Sequence, residues 1–176
     1  MKKLILLTAL MLVSTVCMSQ SVEIEGVSGF RFSGVSPILD DKGESVSGYY
    51  THYIIDKGAK GMRTLEFSII NKEVSKVSQA QIELHKFATL NNTVFNGKNF
   101  LISYDDRKNK KIVFTTIDLD GNIVATNSIT ADKRRSAYSV VYPAAKGEGF
   151  YVVRPALVKN RVRAVSYTHL RAHETR

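Results

Sequence analysis

The fold of this chain is decided by the stretch Gly97-Lys98-Asn99-Phe100-Leu101-Ile102-Ser103-Tyr104 and by Ile112-Val113-Phe114-Thr115-Thr116-Ile117-Asp118, which follows it after a polar interval. Both stretches are rich in β-branched and aromatic residues, which suit a pleated and largely buried strand. A further run follows Asp120-Gly121, a dipeptide typical of a tight hairpin turn. We therefore predict three antiparallel strands, over Asn99–Tyr104, Ile112–Asp118 and Ile123–Ile129.

Similar stretches lie on both sides of this unit along the chain. Each places an aromatic residue shortly after a glycine, over Gly48–Ile55 and Gly147–Val153. The aromatic residues Tyr50, Phe100 and Phe150 are 50 residues apart. This spacing predicts a structural unit that recurs about every 50 residues.

The second strand of the unit recurs as well. Leu65–Asn71 matches Ile112–Asp118 without a gap at an offset of 47 residues, and the match extends to Ile82 against Ile129. In the last unit Arg161-Val162-Arg163 takes the place of Lys111-Ile112-Val113. Preceding strands are expected over Phe87–Val94 and Ala137–Tyr142.

These units predict an all-β fold. Short antiparallel strands every 40 to 50 residues are typical of the blades of a β-propeller. We expect a partial propeller over residues 37–164, with about two complete blades and an interrupted third one. A β-sandwich is the alternative, because strands at this spacing also permit it.

The N-terminus has the layout of a secretory signal peptide. Lys2 and Lys3 precede the apolar run Leu4–Val16, and small residues follow it. We expect residues 1–19 to be cleaved and residues 20–36 to form an N-terminal segment. The apolar run is shorter than the roughly 20 residues that a membrane-spanning helix needs. Lipidation at Cys17 is the less favoured alternative, because Val16 stands where lipoprotein signals usually have a small residue.

The last twelve residues, 165–176, resemble translated sequencing adapter, and we expect them to be a non-native tail that either trails loosely or forms an unsupported extension. His169 and His173 fall in this segment and give no evidence for a metal site. Without residues 1–19 and 165–176 the formal net charge falls from +9 to about +6.

Two basic clusters, Arg107–Lys111 and Lys133–Arg135, lie between the expected strands. Solvated loops are the favoured interpretation, and a patch for a polyanion is the alternative. The sequence lacks RNA-binding aromatic signatures and zinc-finger spacing, so no nucleic-acid partner is predicted. Cys17 is the only cysteine, so a chain cleaved after Ser19 forms no disulfide.

Acidic residues suggest two candidate sites, a calcium loop and an acid–base pair. For each we favour the interpretation as a structural turn. Asp118-Leu119-Asp120-Gly121-Asn122 resembles part of a calcium loop, but its glycine is fourth rather than sixth. Asp105 and Asp106 could act as an acid–base pair, but adjacent strand residues point to opposite faces. We expect a hairpin turn at the first site and a turn with local Asp–Arg pairing at Arg107.

The remaining candidates are histidines and tyrosines. His52 alternates with Tyr50 and Ile54 on one strand face, which predicts a packed or hydrogen-bonded histidine, and His85 begins a loop. The strand tyrosines have two interpretations. They could form a carbohydrate-stacking surface or lie in the core, and we favour the core. They are Tyr49, Tyr53, Tyr104, Tyr142 and Tyr151. We assign no catalytic, cofactor-binding or metal-binding residue.

The stretches Asn99–Arg107 and Ile117–Asn122 give the chain a resemblance to uncharacterised secreted bacterial proteins with propeller-like repeats. That resemblance covers about Pro37–Ala164 and implies export and a β fold. We predict a periplasmic or extracellular, non-enzymatic module that binds or scaffolds a protein or glycan partner. The alternative is the N-terminal part of a secreted propeller enzyme that acts on polysaccharide or peptide, with its catalytic residues outside this chain.

Overall fold

A computed structural model describes residues 21, 33–40, 42–55, 61–75, 77–130, 141–158 and 161–167, with the side chains up to residue 153. In these ranges the chain forms strands and turns, which confirms the predicted all-β class. The strands are β1 (Val35–Leu39), β2 (Val46–Ile55), β3 (Met62–Asn71), β4 (Val77–His85), β5 (Thr89–Phe95), β6 (Asn99–Asp106), β7 (Lys111–Asp118), β8 (Ile123–Thr130), β9 (Tyr142–Lys146), β10 (Gly149–Val158) and β11 (Arg161–Tyr167).

The strands form three antiparallel sheets that follow one another along the chain. The first sheet has the order β1-β2-β3-β4, the second β5-β6-β7-β8, and the third β11-β10-β9. Every described pairing is antiparallel and joins strands that are consecutive in the chain. Short turns therefore suffice to connect the strands within a sheet.

The predicted strands of the middle unit are confirmed as β6, β7 and β8, with ends that differ by at most two residues. The preceding strand predicted over Phe87–Val94 is β5. The predicted boundary at Pro37 lies inside β1, which begins at Val35. The strand expected over Ala137–Tyr142 lies later, as β9 from Tyr142, and residues 137–140 are outside the described part.

A first hydrophobic core lies between the first and second sheets. The first sheet contributes alternate residues of β3 and β4, and the second contributes alternate residues of β6 and β7. Phe67 and Phe100 are fully buried, with ring centroids 5.0 Å apart in an edge-on arrangement. Tyr50 and Phe95 complete this aromatic group, at 5.1 and 4.5 Å from Phe100.

A second core covers the other face of the second sheet. Leu101, Ile112 and Phe114 pack there against Val141, Phe150 and Val152 of the third sheet region. Successive residues of a strand point to opposite faces, so the continuous apolar runs of β6 and β7 supply both cores. The two middle strands of the second sheet, β6 and β7, are therefore buried on both faces, whereas β8 is largely exposed.

The alignment of Tyr50 with Phe100 is wrong by one residue. Tyr50 of the first sheet and Phe100 of the second contact each other across the first core. Side chains at equivalent positions of successive sheets would point in the same direction and would not meet. The pairing of Tyr49 with Ile70 and of Phe100 with Ile117 makes Tyr49 the counterpart of Phe100. Sequence similarity alone does not reveal this shift, because both tyrosines suit a strand equally well.

Part of the segment expected to lie outside the fold belongs to a strand. β11 continues through Val165, Ser166 and Tyr167, which pair with Arg154, Val153 and Val152. This bonding into the last sheet counts against a loose or unsupported tail at these three residues. Backbone pairing uses groups that every residue except proline has, so composition does not exclude it. Residues 168–176 lie outside the described part.

The aromatic group of the first core generates a stability prediction. Replacing Phe100 with alanine should lower the free energy of unfolding by about 3–5 kcal/mol, because it removes a buried ring and leaves a cavity. The matched control is Phe87→Ala, because the Phe87 side chain is 60% exposed. Urea unfolding followed by circular dichroism measures both variants. Equal losses in the two would contradict the assigned core.

Candidate binding surface

The strand directions place several connections at one end of the sheets, which we call the His85 end. β4 ends there at His85, the connection Lys86–Ala88 leads to β5, and the turn Arg107–Lys110 joins β6 to β7. The opposite end carries the turns at residues 42–45, 72–75, 96–98 and 119–122. Each end thus gathers loops from neighbouring sheets, as binding surfaces on rigid β scaffolds commonly do.

The connection between the first two sheets presents an aromatic side chain to solvent. The Ala88 amide donates to the His85 carbonyl over 2.7 Å, and the Lys86 amide donates to the Gly61 carbonyl over 3.0 Å. These bonds hold Phe87 at the tip of a tight turn, where its side chain is 60% exposed. The Lys86 ammonium lies 5.0 Å from the centre of the Phe87 ring, within the range of a cation–π contact.

A cleft opens beside this connection. Its volume is about 380 Å³, and most of its wall is aliphatic. The lining residues are Ser33, His52, Ile54, Leu84, Ala88, Thr89 and Leu90. They come from the residue stretch just before β1, from β2, β4 and β5, and from the connection Lys86–Ala88, so the cleft lies where the first and second sheets meet.

His52 is the ionisable group of the cleft wall. Its backbone is fixed by hydrogen bonds with Ser33, whose hydroxyl accepts from the His52 amide over 3.1 Å. The His52 Nδ1 atom is buried and has no hydrogen-bond partner among the described residues. Burial lowers the pKa of His52 below its ordinary value of 6.5, because desolvation disfavours the imidazolium. The cleft therefore presents a neutral imidazole near pH 7.

The turn between β6 and β7 carries four exposed polar residues on a fixed frame. The Asn109 side chain donates to Asp106 Oδ2 over 2.7 Å, and its amide donates to Asp106 Oδ1 over 3.2 Å. The Arg107 Nε atom lies 3.7 Å from Asp105 Oδ2, which confirms the predicted turn with local pairing. Asp105 and Asp106 are thus engaged by their own turn.

The two ends of the sheets differ in charge. At the His85 end the connecting residues 86–88 and 107–110 carry Lys86, Arg107, Lys108 and Lys110, all exposed and cationic. The turn at residues 147–148 also lies at the opposite end, because the Asn96 side chain donates to the Glu148 carbonyl over 2.9 Å. The described turns of that end thus carry more carboxylates than cations: Glu44, Glu73, Asp120 and Glu148 against Lys42, Lys72 and Lys98. The cleft and Phe87 therefore share their end with the cations.

The Asp118 stretch forms the predicted hairpin turn between β7 and β8. Asp118 Oδ1 accepts from the amides of Asp120 and Asn122, at 3.0 and 2.8 Å, and Oδ2 accepts from the Asn122 side chain. Gly121 has a φ of 86°, and an added Cβ would lie 2.6 Å from the Gln79 carbonyl oxygen. The turn thus needs glycine both for its conformation and for its approach to β4.

The strand tyrosines do not share one surface. Tyr53 and Tyr104 are buried, which confirms the core interpretation for these two, whereas Tyr142 is 57% exposed. The Tyr53 hydroxyl donates to the buried Glu66 carboxylate, which also accepts from the side chains of Gln79 and Gln81 at 2.9 Å. This network satisfies a carboxylate inside the first sheet with neutral donors.

Several candidates lie outside the described residues. They are Cys17, Lys133–Arg135, His169 and His173. Among the residues that the structure does describe, no helix is long and apolar enough to cross a membrane.

The sequence matches a family of unknown function, DUF6770, over residues 1–152. The chain belongs to this family. Neither curated proteins nor solved structures give a significant match. The expected resemblance to uncharacterised proteins thus agrees with the family, while secretion and propeller-like repeats stay predictions.

Sequence reasoning missed the cleft and the exposed Phe87. Phe87 stood at the start of a predicted strand, whereas β5 begins two residues later at Thr89. The available signal was the run His85-Lys86-Phe87 between two apolar stretches. Pattern alone cannot distinguish an aromatic residue in a connecting turn from one that begins a strand.

The cleft histidine generates a pH prediction. Because the pKa of folded His52 lies below 6.5, its contribution to stability is present above pH 6.5 and is lost as the pH falls. The His52→Gln variant should remove this component of the acid dependence, and His85→Gln serves as the control. Urea unfolding across this range, with NMR titration of the imidazole protons, measures it. A His52 pKa above 6.5 would contradict the prediction.

Proposed function

We propose that the chain is part of an exported β-propeller whose three sheets are successive blades. The registers support this proposal, because Leu65 pairs with Ile82 in the first sheet and Ile112 pairs with Ile129 in the second. These are the pairs expected from the 47-residue offset in sequence. Matching registers mean that the two sheets repeat one pattern of side chains.

The direction of the side chains supports the same proposal. Leu65 and Phe67 of the first sheet point toward the second sheet, and their counterparts Ile112 and Phe114 point toward the third. Each sheet thus offers the same face to the sheet that follows it. A two-sheet sandwich, the alternative, buries one face of each sheet, whereas here β6 and β7 of the second sheet contribute to a core on each face.

We infer that this module acts by binding a partner at the His85 end, rather than by catalysis within this chain. The observation that supports this function is the exposed Phe87 ring beside the cleft of about 380 Å³. Exposed aromatic side chains next to a pocket are typical anchors of protein–protein interfaces. The Asp105, Asp106 and Asp118 carboxylates, in contrast, serve to hold their own turns.

Export by the N-terminal segment is the second part of the proposal. Its support is the order of Lys2, Lys3, an apolar run and small residues. Cleavage after Ser19 places the module in the periplasm or outside the cell. Lipidation of Cys17 is the alternative route to the cell surface.

Export can be tested with alkaline phosphatase fused after residue 40. The fusion should be active in a bacterial host, because the enzyme needs disulfides that form outside the cytoplasm. Deletion of residues 2–19 should abolish this activity, and Cys17→Ser should leave it unchanged. An inactive intact fusion would contradict export. Labelled palmitate on the wild-type chain but not on Cys17→Ser would favour the lipoprotein alternative.

Binding at the His85 end can be tested by photocrosslinking in the native host. A benzoylphenylalanine at position 87 should give a defined adduct, whereas the same group at Leu119, which is 44% exposed at the opposite end, should not. Ala88→Leu fills part of the cleft and should weaken the adduct at position 87. Equal labelling from both positions, or adducts insensitive to Ala88→Leu, would contradict the assigned surface.

A further inference from the structure

The charge and the cleft of the His85 end together restrict the partner. Lys86 lies beside the cleft, because it contacts the Phe87 ring and stands two positions before the lining residue Ala88. The turn Arg107–Lys110 lies at the same end of the sheets. It joins β6 and β7, which are the next two strands after β5 in the second sheet. With strands spaced about 4.8 Å apart, these cations stand within a short peptide's reach of the cleft.

The wall of the cleft favours an apolar group over a sugar. Ile54, Leu84 and Leu90 are aliphatic, and Ser33, Thr89 and the neutral His52 are the polar residues beside them. An aliphatic or aromatic side chain gains free energy by leaving water for such a wall, at about 25 cal/mol per Å² of apolar surface. The Ser33 hydroxyl already donates to the Gly34 carbonyl and accepts from the His52 amide, so the wall offers few free partners to the hydroxyl groups of a pyranose ring.

The local carboxylates do not cancel the cations. Asp106 is engaged by Asn109, and Asp105 lies beside Arg107. Glu83 is the exposed carboxylate of β4 near this end. Lys86, Lys108 and Lys110 are exposed, and the Lys86 ammonium lies over the Phe87 ring. Their charge therefore remains available to a ligand.

We propose that the His85 end binds an acidic peptide segment of a partner protein, with one apolar side chain in the cleft and flanking carboxylates on Lys86 and the Arg107–Lys110 turn. This proposal rests on the proposed binding function and specifies its ligand. The apolar contact supplies affinity from buried surface. The charge contacts steer the segment and select against basic ones.

Selection from a library of displayed random peptides, with the full chain as bait, tests the ligand class. Wild-type protein should enrich acidic peptides that contain an apolar residue. The Lys86→Glu/Lys108→Glu double variant should bind the strongest synthetic peptide at least about tenfold more weakly, since about 1.4 kcal/mol is tenfold in affinity. The matched control Lys72→Glu/Lys98→Glu makes the same charge change at the opposite end and should bind as the wild type does.

The position of the peptide is tested by NMR with the isotopically labelled chain. The peptide should shift the amide signals of His52, Leu84 and Leu90, and replacing its apolar residue with serine should abolish these shifts. Binding should weaken with salt, because the Debye length falls from about 10 Å at 0.1 M to about 3 Å at 1 M. Shifts confined to the opposite end would overturn the proposal.

Two outcomes separate this proposal from the proposed function. Selected peptides that map to the His85 end but carry no excess of acidic residues would overturn the ligand class and leave binding at this end intact. Polygalacturonate that binds more tightly than every selected peptide, at the same residues, would also overturn the peptide in favour of an anionic glycan. Failure of the position-87 crosslink as well would remove the binding surface itself.

Discussion

The structure depends on the burial of β6 and β7, the middle strands of the second sheet, on both faces. Alternate residues of β6 and β7 enter the core shared with the first sheet, and the residues between them enter the core shared with the third. Phe100 and Leu101, adjacent in sequence, are both fully buried for this reason. A strand in this position cannot slip by one residue without exchanging its two apolar faces, so the register is fixed by the neighbours on either side.

Because of this constraint, polar and charged side chains can vary mainly in the turns. Within the sheets the polar groups serve the fold, as the Glu66 carboxylate does by accepting bonds from Tyr53, Gln79 and Gln81. At the ends of the strands the side chains are exposed, and the two ends differ in charge. The cleft forms where the first sheet meets the second, because the connection Lys86–Ala88 must cross between them.

Strands were predictable because their residues have strong local preferences. The limits of β7 and β8 followed from apolar runs bounded by Asp118–Asn122, a turn whose hydrogen bonds are local. The relation between sheets was less predictable. Tyr50 and Phe100 suggested equivalent positions, yet their rings face each other, because one residue in register changes the face of a whole strand. The cleft residues come from distant parts of the chain, so no local pattern marks them.

The sequence by itself determined the all-β class, the strands of the middle unit and the turns at Asp106 and Asp118, since these follow from propensity, alternation and short-range hydrogen bonds. Only the tertiary structure decided which face of each strand meets which sheet, and that His52, Leu84 and Leu90 share one cleft. Those features depend on the packing of sheets against one another. Packing brings together residues that are remote in sequence, and local residue preferences do not determine these contacts.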